Sequence, residues 1–128
     1  MTLSPATVDA TTTVGKVLER LFELDVRHLP IVDDGRLVGI VSDRDLRDVT
    51  ARLVSQGVVE RTRCLTAPVA DIMSSDVLSV EPETDLGEVV DLMIEHRVGA
   101  LPVVASENDE LVGIVSYVDV LRAARDAL

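Results

Sequence analysis

Two serines in this chain are each followed, three residues later, by an aspartate at the end of the same apolar word. Ser42 and Asp45 close "LVGIVSDRD", and Ser116 and Asp119 close "LVGIVSYVD". This pairing admits two kinds of chemistry. At a helix start, a serine oxygen accepts from an orphan amide and a carboxylate complements the helix dipole. Ser-x-x-Asp therefore reads as a cap, although Glu or Gln is the usual third residue of a capping box. The same corner can also serve an outside partner. Helix N-termini present free N–H groups and partial positive charge to phosphate, and a serine hydroxyl donates to a phosphate oxygen. A carboxylate one turn in accepts from two ribose hydroxyls. Gly39 and Gly113, three residues before each serine, leave the strand bare where a base or sugar would approach. Ser42 has no histidine beside it to act as a base, so nucleophilic catalysis lacks its partner. No phosphate-binding Gly-rich loop and no Cys/His cluster with metal-ligand spacing is present.

The elements that must position these corners repeat with them. Val8, Thr12, Gly15, Val17, Val26 and Leu29-Pro30 match Val80, Thr84, Gly87, Val89, Val98 and Leu101-Pro102 at an offset of 72 residues. The offset grows to 74 at Leu37 and Leu111, because "DDGR" in the first copy is replaced by "ASENDE" in the second. Both are polar turns, where an insertion costs little. Val14, Leu18, Leu21 and Phe22 recur at helical spacing, as do Leu86, Val90, Met93 and Ile94. Thr12 or Thr13, and Thr84 or Asp85, are the expected N-caps. "HLPIV", "ALPVV", "RLVGIVS" and "ELVGIVS" read as strands joined in hairpins. Leu46, Val49 and Leu53 mark a second helix that stops near Gly57, with a counterpart at Val120, Leu121 and Ala124. Short extended pieces are expected at Thr7–Val8 and Val77–Val80. Each copy thus reads strand, helix, strand, strand, helix, with boundaries at 1–56 and 69–128, a linker at 57–68 and a helical turn in "PVADIM". A unit of about 55–60 residues buries too little surface to be stable alone, so the copies are expected to pack against each other.

Composition bounds the function. Hydrophobic residues are 47% and Trp is absent, with one Tyr and one Phe, so the core is aliphatic. No apolar run reaches the ~20 residues of a membrane span, and the N-terminus does not read as a signal peptide. The single cysteine, Cys64, has no internal partner, which fits a cytoplasmic setting and a structural thiol. Net charge is −11, against non-specific nucleic-acid binding. Residues 1–64 hold 10 acidic and 9 basic residues, whereas residues 65–128 hold 13 acidic and 3 basic. The first half is the easier host for an anion.

The residues "RHLPIVD" and "LVGIVSDRDL" in the first half, and "VADIMSSDVLSVEPETDL", "GALPVV" and "LVGIVSYVDVL" in the second, resemble the cystathionine β-synthase (CBS) domain. The whole chain resembles a tandem CBS-domain pair. The resemblance implies a mixed α/β (α+β) fold of two β-α-β-β-α repeats packed pseudo-symmetrically through their sheets. It also implies that Gly-apolar-x-Ser/Thr-x-x-Asp marks an adenosine-nucleotide site. There the Asp holds ribose, the Ser and a nearby Arg meet phosphate, and backbone at the apolar-Pro pair reads adenine. Carried onto this chain, it implicates Ser42, Asp45 and Arg44, with His28 and Leu29 at the adenine. In the second half it implicates Ser116, Asp119, Ala100 and Leu101. The implied function is a regulatory, non-enzymatic sensor of AMP, ADP or ATP, with NAD and S-adenosylmethionine as further ligands and no catalytic cofactor. The implied assembly is a homodimer, possessing apolar helix faces at Val14–Phe22 and Leu86–Ile94 and serving a regulated protein partner. Two other readings stand beside it: a ligand-independent interaction or dimerisation module, and the regulatory piece of a larger enzyme or transporter system. Two departures shape the expectation. "VADIM" stands only before the second copy, so the wall of the first site is expected to be short. Arg44 has Val118 as its counterpart, so the second site lacks that cation.

Overall fold

In a computed structural model, which describes residues 1–128, the helices form where apolar spacing and caps demand them. Helix α1 (Val14–Leu24) buries Val14, Val17 and Leu21 along one stripe, and the Thr13 side chain caps it by accepting from the Lys16 amide. It ends at Asp25, whose left-handed φ of 52° turns its N–H back to Leu21 and Phe22. Helix α4 (Leu86–His96) repeats the pattern with Val89 and Met93 buried, and its end is Arg97 at φ 54°. Its N-cap is Asp85 without a side-chain bond; Thr84 instead accepts from the Glu81 amide at 3.0 Å.

The strands follow the same doubling. β3 (His28–Asp33) and β4 (Arg36–Ser42) are joined by Asp34-Gly35, both at positive φ. That is the two-residue turn whose twist suits a hairpin, and Gly35 at φ 80° needs its missing side chain there. β2 (Val8–Asp9) runs parallel to β3, with Val8 opposite Ile31, giving the order β2-β3-β4. β5 (Ala100–Val104) and β6 (Leu111–Ser116) pair antiparallel with a bulge at Val103/Val104. Val80 docks beside β5 as Val8 does beside β3: its N–H donates to Pro102 and its carbonyl accepts from Val104. On that edge only the carbonyl of Pro102 is used, so the proline's missing N–H costs no ladder bond.

Helices α2 (Asp43–Val54) and α5 (Tyr117–Ala127) start directly from β4 and β6. The stretch expected as a plain linker carries helix α3 (Val58–Thr66), none of whose residues is buried, followed by a 3-10 turn at Val69–Asp71. β1 (Thr2–Leu3), which sequence periodicity did not reveal, adds to β6 and completes the second sheet, β1-β6-β5.

The chain is a mixed α/β protein with two three-stranded sheets and five helices. It divides into two units, residues 6–34 with 38–77, and residues 1–5 with 35–37 and 78–128. In the first, Val14, Val17, Leu29, Ile31, Val41 and Val69 are fully buried in an aliphatic cluster. In the second, Val80, Val89, Met93, Leu101, Val103 and Val115 form another. Each such side chain contributes about 1.5–3 kcal/mol on burial. No helix is long and apolar enough to cross a membrane.

Candidate functional site

The strand-to-helix corner at Ser42 is built by its own side chains. Ser42 is extended (φ −110°, ψ 162°), its hydroxyl accepts from the Asp45 amide at 3.1 Å, and Asp45 Oδ2 accepts from the Ser42 amide at 3.1 Å. Asp thus completes a reciprocal capping box in the place of the usual Glu or Gln. The corner is stitched to β3 where the Asp43 N–H donates to the Arg27 carbonyl at 2.8 Å. That bond brings His28 beside the start of α2. His28 is half-buried, and burial holds its imidazole below the ordinary range; the Asp43 and Asp45 carboxylates oppose this and Arg27 adds to it. Leu29 and Pro30 are buried, Arg44 is exposed, and Asp45 and Ser42 are half-buried.

The corner at Ser116 has the same backbone. Ser116 lies at φ −109°, ψ 164°, its hydroxyl accepts from the Asp119 amide at 3.3 Å, and Asp119 Oδ2 accepts from the Ser116 amide at 2.9 Å and stands 3.2 Å from its hydroxyl. The Tyr117 N–H donates to the Gly99 carbonyl at 2.9 Å, as Asp43 does to Arg27. Ala100 and Leu101 are buried where His28 and Leu29 stand in the other corner, and exposed Val118 replaces Arg44.

The bare faces of the two glycines are already covered. A Cβ at Gly39 would overlap Met73 Sδ and lie 3.1 Å from the Ser74 carbonyl. A Cβ at Gly113 would lie 2.9 Å from the Thr2 carbonyl and 3.0 Å from Met1 Sδ. Backbone bonds fix both arrangements: Ile40 and Ser74 exchange N–H···O bonds of 3.2 and 3.1 Å, and Thr2 pairs with Ile114. The expectation of a short wall at the first corner is therefore corrected. The segment that walls the Ser42 corner is Met73–Ser74, from the "VADIM" stretch, and the short N-terminal segment walls the Ser116 corner instead. Each repeat's β-edge is completed by the opening residues of the other repeat. These four residues were missed in sequence, yet a signal existed: Met1-Thr2 and Met73-Ser74 stand 72 residues apart, the offset of the repeat.

A family model of the CBS domain matches residues 1–52 and 69–126. The chain belongs to the CBS-domain family. Among its CBS relatives, it is 33% identical over 119 residues to the CBS domain-containing protein YhcV of Bacillus subtilis, covering 93% of this chain and 78% of YhcV. The solved structure of CBSX2 in complex with AMP matches with a TM-score of 0.82 and 32% identity, over 97% of this chain and 90% of that one. The chain is also 32% identical over 127 residues to the inosine-5'-monophosphate dehydrogenase of Methanocaldococcus jannaschii, but it spans only 23% of that protein. One Ser-x-x-Asp corner falls within each of the two matched segments. The first gathers Ser42, Asp45 and Arg44 at one helix start, with His28 on the adjoining strand; the second gathers Ser116 and Asp119 with Ala100 and Leu101, and has Val118 where the first has Arg44.

Proposed function

We propose that this chain is a regulatory module that binds adenine nucleotides, AMP, ADP or ATP, and has no catalytic activity. The observation that carries the reading is the doubled corner: a serine at the strand end and an aspartate one turn into the following helix, in a CBS-domain chain. AMP in the CBSX2 complex supports an adenosine ligand. In this reading Asp45 and Asp119 accept from ribose, Ser42 and Arg44 meet phosphate, and backbone at His28–Leu29 and Ala100–Leu101 faces adenine. The capping bonds at both corners do not oppose it, because a carboxylate has lone pairs to spare after accepting one amide. A cytoplasmic setting and a regulated protein partner belong to the same proposal.

The test is a thermal-shift screen with AMP, ADP, ATP, NAD and S-adenosylmethionine. A ligand at 100 times its Kd stabilises the folded protein by about 2.7 kcal/mol, so at least one adenine nucleotide should raise Tm by several degrees. If none does, while light scattering shows a stable assembly, the ligand-independent interaction module takes its place. The assembly we propose is a homodimer. Phe22 is 89% exposed on α1, Ile94 71% on α4 and Leu121 61% on α5, an apolar display that a symmetric partner would cover. One protomer mass at micromolar concentration would sink this part.

A further inference from the structure

A cavity of about 290 Å³ lies between α2, α3 and the 3-10 turn, and the nucleotide reading makes no use of it. Its floor is apolar, with buried Val49 and Leu53 from α2 and half-buried Ile72 from beyond the turn. Its rim carries Arg52 and Arg63, with Glu60 between them in sequence and Cys64 beside them. The arginines are only loosely engaged. Arg63 stands 3.6 Å from Glu60 in an exposed pair, and exposed pairs of this kind contribute little and yield readily to a competing anion. Arg52 donates one N–H to the Asp48 carbonyl at 3.4 Å, which leaves the rest of its fork for another acceptor. Two guanidinium groups against one carboxylate around an apolar floor form a local cationic exception in a chain of net charge −11.

Apolar concavities with a few convergent polar groups are the usual form of small-molecule sites, and ligand pockets run from about 300 Å³ upward. The volume here sits at that lower edge, which suits a short chain and not a nucleotide. Arginine forks match the planar geometry of a carboxylate. We propose that this cavity binds a small amphipathic carboxylate, with its alkyl chain on Val49, Leu53 and Ile72 and its head between Arg52 and Arg63. The proposal is independent of the adenosine sites.

Hexanoate is the probe, and hexanamide the uncharged control of the same shape. Titrating hexanoate into the methyl-labelled protein should shift the Val49, Leu53 and Ile72 methyl resonances together. At about ten times its Kd it should also slow iodoacetamide alkylation of Cys64 about tenfold, in proportion to the occupied fraction. Arg52→Gln and Arg63→Gln change exposed side chains and should fold normally, while each raises the hexanoate Kd about tenfold, the usual effect of losing a charged hydrogen bond. Unshifted methyls or unchanged alkylation at high hexanoate would overturn the proposal. So would equal binding of hexanamide, or an unaltered Kd in both variants.

Discussion

The corners at Ser42 and Ser116 share one backbone and differ in almost every charged group. Their serines agree in φ and ψ to within the scatter of any helix cap, both close the same reciprocal box, and both tie the helix's first amide to a carbonyl on the preceding segment. Around that common frame, His28, Asp43 and Arg44 in one are replaced by Ala100, Tyr117 and Val118 in the other. The folding requirement reaches only as far as the cap. Ser and Asp satisfy amides that would otherwise be orphaned, whereas the residues beside them, from exposed Arg44 and Val118 to half-buried His28 and buried Ala100, take no part in the box. A ligand sees the divergent part. The Ser42 corner offers Arg44, a titratable ring and two carboxylates, Asp43 and Asp45; the Ser116 corner offers an aromatic and an aliphatic rim around a single carboxylate.

The largest expected break in this comparison comes from the two aspartates. Asp45→Ala and Asp119→Ala each remove half of a capping box, so both should lose roughly equal folding stability, about 0.5–2 kcal/mol. Their effects on AMP should differ. Asp45→Ala is expected to weaken binding by about 1–3 kcal/mol, the worth of a hydrogen bond to a charged group, and Asp119→Ala by less. Titration calorimetry on both decides, and an equal or larger loss at Asp119 would mean that the charge difference does not select the phosphorylated ligand. Val118→Arg sharpens the point by giving the second corner the missing cation, and should narrow the gap.

Ser42→Asp separates cap from site. Asp caps about as well as Ser, so ligand-free melting should hardly move. Facing phosphate, the substitution loses a donor and adds a negative charge, at a cost on the order of 1 kcal/mol near the surface and more in a dry site. Unchanged AMP affinity would reduce Ser42 to a cap.

A smaller effect should distinguish the two walls. Gly113→Ala drives its Cβ against the Thr2 carbonyl, which is backbone and cannot swing aside, so β1 must lift. The cost is limited to about 1 kcal/mol, the net worth of a backbone hydrogen bond, because β1 is two exposed residues long. Gly39→Ala meets first the flexible end of Met73, and the Ser74 carbonyl at 3.1 Å has to give by only a few tenths of an ångström, so the Ile40–Ser74 pairing should survive. Amide exchange reads both outcomes: fast exchange at Ser4, whose N–H donates to the Val112 carbonyl at 3.3 Å beside β1, in the first variant, and retained protection at Ser74 in the second. The reverse pattern would contradict the geometry.

The smallest effect is a pH dependence confined to one corner. With the folded-state pKa of His28 lowered by burial, the unfolded chain binds the proton more readily, and stability rises with pH across that window. The contribution is complete above the ordinary value of 6.5 and is lost as pH falls below it, levelling off once the folded ring is protonated too. Tm of the parent should fall by at most a few degrees between pH 7 and about 5.5, and His28→Gln should flatten that slope. An identical slope in the variant would remove His28 as its source.

What the sequence determined by itself is everything whose cause is local. Apolar residues at helical spacing placed α1 and α4, Asp34-Gly35 announced a tight hairpin turn, and Ser-x-x-Asp marked both helix starts before any ligand was considered. The reason is that caps, turns and amphipathic stripes are satisfied within a few residues of their own position. Tertiary structure alone decided which segment completes which strand. Thr2–Leu3 and Ser74 are too short to carry a period, and the backbone groups they pair with lie far away in the chain. The glycines show the difference most clearly. In sequence, Gly39 and Gly113 read as room left for a ligand; in the fold, Met73 with Ser74 and Met1 with Thr2 occupy that room, because an unpaired strand edge is satisfied by whichever backbone the topology delivers to it. The same holds for α3, whose mixed surface gives no stripe of its own and whose partners, α1 and α2, become neighbours only when the chain has folded.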